Sequence, residues 1–264
     1  FAWGSFGPKP EEPRAPLSPP ISGAGLFLSS IYGGYFGGGN GIILVTGPTG
    51  SGKTTTLYAA LAKLNQVDRK ILTIEDPIEY QLSGISQMQV QPRIGFDFSV
   101  GLRSMLRHDP DIMLVGEIRD YETAEMAIRS SLTGHLVLST LHTNDSAGAV
   151  TRLIDMGIEP FLIASTLIAS VAQRLVRKNC SYCSEAFEPD RELLKAEFDL
   201  SDKDLEGARF MRGKGCEQCR YTGYKGRLAI YEMLPFTEAI KDMTLQRVNA
   251  GIIKKEAMKR GMRT

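Results

Sequence analysis

Residues 47–54 read Gly47-Pro48-Thr49-Gly50-Ser51-Gly52-Lys53-Thr54, the pattern G-x-x-x-x-G-K-[ST], and no other stretch restricts the possible folds so sharply. The pattern needs a strand before it and a helix after it. Both are legible: Gly41-Ile42-Ile43-Leu44-Val45-Thr46 is the short, β-branched apolar run of a buried parallel strand, and residues 54–64 carry Leu57, Leu61 and Leu64 at helical spacings. Glycine lets the backbone curl so that successive N–H groups point inward, and the helix start adds its partial positive charge, so such a loop cradles a polyphosphate. Lys53 is expected to reach the β- and γ-phosphates and the Thr54 hydroxyl to hold Mg²⁺, with Thr55 extending the binding stretch. A purely structural glycine turn is the alternative, and the two flanks weigh against it.

The elements downstream fit an α/β sheet around this loop. Residues 70–74 form a second apolar strand that ends in Glu75-Asp76-Pro77-Ile78-Glu79-Tyr80. In open α/β sheets ligands bind at the carboxyl ends of strands, where acids reach a metal–phosphate complex or orient a water; a solvated acidic loop is the plain alternative. A helix is expected over residues 100–107, with Leu102 and Leu106 one turn apart and Arg103 and Arg107 likewise, broken by His108-Asp109-Pro110. Residues 111–117 are a third buried strand ending in Glu117, where phosphate-loop proteins more often carry Asp; the extra methylene suggests action on the metal through water. A helix over residues 122–132, ended by Gly134, leads to a fourth strand at residues 135–143. His135 and His142, seven apart on a strand, face opposite ways and form no metal pair; His142, at the carboxyl end, is the one placed to sense a γ-phosphate. Residues 161–175, following Pro160, are apolar nearly all round and read as a buried helix.

With 264 residues, 42% of them hydrophobic, the chain can bury an α/β core and leave a smaller unit outside it. A net charge of +1 offers no basic field for nucleic acid, and no apolar run approaches the length of a membrane span. The four cysteines fall in two pairs, Cys180-x-x-Cys183 and Cys216-x-x-Cys219. Two such knuckles can hold one tetrahedral Zn²⁺ and thereby stabilise a unit too small for its own core; redox cysteines are the alternative. Between them residues 188–206 are acidic and helical in pattern. From residue 224 onward the balance is basic, and Lys254, Lys255, Lys259 and Arg260 read as a solvated or subunit-facing helix. Residues 1–40 stand apart: prolines punctuate their first half and glycines their second, so an extended or disordered segment is expected, although nothing accounts for its aromatics.

From Gly41 onward the chain resembles the secretion ATPase superfamily, specifically the type II secretion and type IV pilus assembly motors, on four motifs in order. Residues 47–54 match its Walker A motif; Ile74-Glu75-Asp76-Pro77-Ile78-Glu79-Tyr80 its acidic box, with Glu79 at the position of the general base; Gly116-Glu117-Ile118-Arg119-Asp120 its Walker B motif; and Thr133-Gly134-His135 through His142-Thr143 its histidine box. The four cysteines match the zinc-bearing insertion of assembly motors, which retraction motors generally lack, so extension or secretion is the implied direction of work. The resemblance implies a RecA-like P-loop NTPase core at residues 41–179, a Cys₄ zinc unit at 180–219 and a helical C-terminal part at 220–264. It further implies a homohexameric cytoplasmic ATPase, peripheral to the inner membrane through a platform protein and an adaptor, with ATP, Mg²⁺ and Zn²⁺ as cofactors and no nucleic acid as partner. Residues 1–40 do not resemble the family's N-terminal domain, which supplies arginines to the nucleotide site, and Thr264 falls inside the family's final helical region. A fragment is therefore expected, with residues 1–40 as a tag, a scar or a misread stretch. Arg103, Arg107, Arg119 and Arg152 lie on segments that can meet this chain's site or a neighbour's. A RecA-like nucleic-acid translocase and a non-catalytic nucleotide-binding module are the competing classes; the look of residues 131–133 and 147–150 favours secretion over pilus assembly.

Overall fold

A computed structural model describes residues 40–198 and 200–263; the expectation for the proline- and glycine-rich start lies, up to residue 39, outside the described residues. The strands are β1 (Gly41–Thr46), β2 (Ile71–Glu75), β3 (Ser86–Gln89), β4 (Ile112–Val115), β5 (Leu136–Leu141), β6 (Leu167–Asn179), β7 (Ser184–Ala186), β8 (Met211–Gly213) and β9 (Tyr224–Pro235). The helices are α1 (Lys53–Leu64), α2 (Phe98–Leu106), α3 (Tyr121–Leu132), α4 (Gly148–Asp155), α5 (Pro160–Thr166), α6 (Arg191–Phe198), α7 (Asp202–Leu205), α8 (Glu238–Leu245) and α9 (Ala250–Lys259). Seven strands form one sheet in the order β3-β2-β4-β5-β1-β6-β9, parallel from β3 to β6 and antiparallel at β9.

Side-chain alternation explains why the central strands are apolar at every position. Ile42 and Leu44 of β1 enter the core shared with α2, α3, α4, α5, α8 and α9, whereas Ile43 and Val45 enter the core shared with α1. Each fully buried aliphatic side chain contributes about 1.5–3 kcal/mol. Helix starts are set by side-chain oxygens: Asp97 accepts from the Val100 N–H at 2.9 Å and Asp120 from the Thr123 N–H at 2.8 Å, which begins α2 at Phe98, two residues earlier than its apolar spacing suggests.

Residues 161–175 are not one helix. The helix α5 stops at Thr166, and Leu167 onward is the strand β6, pairing in parallel with β1 (Val45 opposite Val171) and antiparallel with β9 (Val171 opposite Met233). A run apolar on all sides satisfies a buried helix and a strand flanked on both edges equally well. The open edge of β1 resolves the tie by offering partners to a row of backbone N–H and C=O groups that burial would otherwise leave unpaired.

Past Gln173 the β6–β9 pair leaves the core as a ribbon whose ladder ends at Asn179 opposite Tyr224, and the tetracysteine unit sits at its tip, where the Cys180 N–H donates to the Gly223 carbonyl at 2.9 Å. The strand β9, within the stretch read as C-terminal, thus completes the main sheet. Lys254 on α9, read from the sequence as solvated or subunit-facing, turns inward instead: its Nζ lies 2.6 Å from Glu232 Oε2 on β9. Glu232 Oε1 accepts from both the N–H (2.9 Å) and the hydroxyl (2.6 Å) of Ser146, in the loop that follows β5.

Burial alone pushes the Glu232 carboxyl up, but Lys254 and Ser146 outweigh it and hold the group below the ordinary value of 4.5. A folded carboxyl more acidic than its unfolded counterpart stabilises the fold above that value, and the contribution is lost as pH falls through the folded pKa. Lys254→Met should therefore cost about 1–3 kcal/mol in urea unfolding at pH 7, short of the full price of orphaning a fully buried charge because Lys254 is partly exposed. The gap from the unsubstituted chain should narrow when unfolding is repeated well below pH 4.5; an equal gap at both pH values would show that the pair carries none of it.

Candidate functional site

Because β1, β2, β4 and β5 run parallel, their carboxyl ends lie on one edge of the sheet, where they border a cleft of about 650 Å³. The 47–54 loop forms one wall. Gly47 (φ 138°) and Gly52 (φ 85°) take conformations that L side chains rarely adopt, and a Cβ on Gly47 would come 2.3 Å from the Gln173 carbonyl oxygen of β6. Gln173 braces the loop from beneath through its Nε2, which donates to the Ser51 carbonyl at 2.8 Å. Lys53 Nζ donates back to the carbonyls of Gly47 (2.8 Å) and Pro48 (3.1 Å). Burial pushes its pKa down while Glu117 works against that shift, so the ammonium faces a site that gains from added negative charge. The buried Ser51 hydroxyl has no partner among the described residues. Curled glycines, an inward lysine and an unpaired hydroxyl at a helix start fit a phosphate group.

The sequence-predicted residues converge here. Thr49, Gly50, Ser51, Gly52, Lys53, Thr54 and Thr55 line the cleft, as do Glu79 at the end of the acidic box, Glu117 just past β4 and His142 just past β5. Glu117 is buried, and both its oxygens have nitrogen neighbours: Oε1 lies 2.5 Å from the Arg119 guanidinium and Oε2 lies 3.3 Å from His142 Nε2. Hydroxyl bonds across the strands hold these ends in place. Thr140 donates to the Gly116 carbonyl at 2.8 Å, and the Thr46 hydroxyl accepts the Thr143 N–H at 2.9 Å, tying the residue after His142 to the end of β1. His135 lies at the opposite end of β5 and bonds the Ser130 carbonyl (2.8 Å), away from the cleft. Of the four arginines singled out in the sequence, Arg119 lines the cleft; Arg103 pairs instead with Glu122 at 2.7 Å, and Arg107 and Arg152 lie outside it.

Sequence reasoning missed Leu175 and Arg227, which line the cleft from β6 and β9. No local pattern marks them. Arg227 becomes visible only through the strand register that sets it opposite Arg177. The buried Glu75 was read only as one acid of three, yet it lines the cleft too.

A second constellation lies at the tip of the ribbon. The sulfurs of Cys180, Cys183, Cys216 and Cys219 all lie within 4.8 Å of one another, with 3.9 Å between Cys180 and Cys216, 3.9 Å between Cys183 and Cys219 and 3.7 Å between Cys216 and Cys219. A tetrahedral site with Zn–S of about 2.3 Å spaces its sulfurs roughly 3.8 Å apart, whereas a disulfide brings two within about 2.05 Å. The donor set therefore fits Zn²⁺. The N–H groups of Cys216 (3.2 Å) and Gly223 (3.3 Å) are aimed at the Cys219 sulfur, and such donors favour the thiolate form that a metal needs.

Taken together, the parallel sheet, the phosphate-binding loop and the acids at its strand ends define a RecA-like α/β phosphate-loop protein carrying a tetracysteine insertion. Residues 37–264 match the type II/IV secretion system protein family, and the chain belongs to it. It is 56% identical over 204 residues to the type II secretion system ATPase E of Vibrio cholerae, covering 77% of this chain and 40% of that protein. It is 50% identical over 224 residues to the type IV pilus assembly ATPase PilB of Thermus thermophilus, covering 85% of this chain and 25% of that protein. Among solved structures, the ATPase DotB of Legionella pneumophila superposes with a TM-score of 0.58 at 26% identity, over 89% of this chain and 54% of that one. The pilus retraction motor PilT with bound ADP gives 0.54 at 29% identity, over 85% and 59%. The chain thus spans well under half the length of these two curated relatives.

Metal analysis of the purified chain should find one zinc ion per chain. Chelation or Cys216→Ser should raise amide exchange across residues 180–219 and leave the strands β1, β4 and β5 protected, because structural zinc contributes folding energy locally. Protein that folds fully with no zinc bound would refute the metal site.

Proposed function

We propose that this chain is the motor part of a ring-forming secretion ATPase that hydrolyses ATP to power type II protein secretion. The observation that carries this reading is the convergence of Glu79, Glu117 and His142 on the Lys53 loop within one cleft. The PilT structure, which holds ADP, supports a nucleotide as the occupant. On binding, Lys53 exchanges the carbonyls of Gly47 and Pro48 for the β- and γ-phosphates, and the loop's N–H groups hold their oxygens. The Thr54 hydroxyl would hold Mg²⁺, which when bound would neutralise the charge that develops on the transferring group. Glu79 accepts a proton from the attacking water, Glu117 acts on the metal through water, and His142, whose Nε2 lies 3.3 Å from Glu117, senses the γ-phosphate at the end of β5. The work is delivered through an inner-membrane platform protein and a cytoplasmic adaptor, which keep the homohexamer peripheral to the inner membrane. Type IV pilus assembly is the second reading, supported by the PilB relatives at 50% and 48% identity. We assign residues 41–179 to the ATPase core, 180–219 to the zinc unit and 220–264 to the C-terminal region.

Lys53→Ala should abolish phosphate release and weaken ATP binding, and retained turnover would sink the assignment of the loop. Glu79→Gln should still bind ATP but hydrolyse it about 10²–10⁴-fold more slowly. A larger loss in Glu117→Gln, with Glu79→Gln near normal, would move the base to the end of β4.

Hydrolysis should also rise more steeply than linearly with protein concentration. Arg119 is engaged by Glu117, which leaves Arg227 as the cleft's other arginine, and we infer that a further cation is supplied by a neighbouring chain, a contribution worth about 10³–10⁵ in rate where it is known. Constant turnover per chain across a hundredfold dilution, with the protein monomeric throughout, would contradict this.

A further inference from the structure

Glu75 is a carboxylate at the cleft that the hydrolysis reading leaves without a task, and it is only 3% exposed. Burying an ionised carboxylate costs several kcal/mol unless its lone pairs are filled. Here they are: Oε1 accepts from the Thr73 hydroxyl at 2.5 Å and from Gln87 Nε2 at 3.2 Å, and Oε2 accepts the hydroxyl proton of Tyr58.

Tyr58 lies on α1, the helix that the phosphate loop opens, one turn beyond Thr54; it is fully buried, with its ring edge-on to that of Tyr80 at 4.7 Å between centroids. Burial first, and then the Glu75 carboxylate, holds its phenol well above the ordinary range, so it keeps its proton. With its O–H donated in a hydrogen bond to Glu75, its oxygen can only accept from other groups. It accepts the backbone N–H of Glu79 at 3.3 Å and Gln87 Nε2 at 3.4 Å. The Glu79 carboxylate itself has no hydrogen-bond partner among the described residues and is exposed, so its placement depends on its backbone.

The geometry points to Tyr58, oriented by Glu75, as the positioning residue that anchors the backbone of Glu79 to the phosphate-loop helix, so that the carboxylate and the loop keep one spacing. The effect on rate rests on the reading of Glu79 as the base; the anchoring does not. A misplacement of about 1 Å at a reacting group can cost about a hundredfold in rate, so a bond this far from the chemistry can matter.

Tyr58→Phe deletes the one oxygen and keeps the ring. In the 264-residue chain, amide exchange at residues 77–81 should rise about tenfold or more, while exchange within α1 stays as it was. Under ATP turnover kcat should fall about ten- to hundredfold with KM for ATP within twofold, and adding Tyr58→Phe to Glu79→Gln should cause no further loss. Unchanged exchange at residues 77–81 overturns the proposal, as does an equal loss of rate in both backgrounds. Raised exchange beside a normally active Glu79→Gln keeps the anchor and removes Glu79 as the base. If Tyr58→Phe does not fold, Glu75→Gln takes its place: it weakens the pull on the phenol proton at constant shape and should give the same pattern to a smaller degree, and no change there is likewise fatal.

Discussion

Parallel pairing of β1 with β5 on one side and β6 on the other is the constraint on which the rest of the structure depends. Parallel strands share a direction, so every loop leaving a carboxyl end opens on the same edge, and residues far apart in sequence meet there without any pairwise attraction of their own. The strand β5 intervenes between β1 and β4, which sets Glu117 one strand away from the phosphate loop and lets His142, from the intervening strand, reach it. The hydroxyls of Thr46 and Thr140 then pin the strand ends, so the acids sit on a rigid edge even where their side chains are exposed.

Charge is held in tension at this edge. Glu75, Asp76, Glu79 and Glu117 border the cleft with Lys53, Arg119 and Arg227 as the facing cations, and the two acids nearest the core are already satisfied, Glu75 by neutral donors and Glu117 by Arg119. The cleft therefore offers an anion a desolvated ammonium, while the carboxylates that would repel it are engaged elsewhere or exposed at the rim. The buried polar network around Glu75 performs the same service in the opposite direction, converting a costly charge into a fixed point for the backbone.

The ribbon formed by β6 and β9 links this edge to the four cysteines. Gln173 touches the phosphate loop, Leu175 lines the cleft and Asn179 ends the ladder, all on one continuous strand, and Cys180 follows directly as the first of the four cysteines. The unit contains short strands and helices with few buried residues, and its four clustered sulfurs fit a metal site of the kind that substitutes for a hydrophobic core in so short a unit. Helix α9 is tied back across the same face through Lys254 and Glu232 to Ser146, four residues past His142.

The phosphate loop, the four central strands, the helices after β1 and before β5, and the two cysteine pairs were legible in the sequence because each is a local pattern: an unbroken apolar run, leucines at helical spacing, a glycine stop, or a fixed spacing between cysteines. Contacts across the sheet were not. Residues 161–175 have no period that separates a helix from a strand with neighbours on both sides, and only the vacant edge of β1 decides it. Arg227 enters the cleft by the register of an antiparallel return, Lys254 turns inward because a half-buried carboxylate faces it, and Glu75 differs from Glu79 in burial and in the donors that burial brings to it. Sequence by itself determined which residue types were available to bind phosphate and metal, since those chemistries demand particular side chains at particular spacings. Tertiary structure decided which acid is buried and which exposed, and which cations reach the site, because desolvation and proximity are properties of packing that no neighbouring residue in the chain encodes.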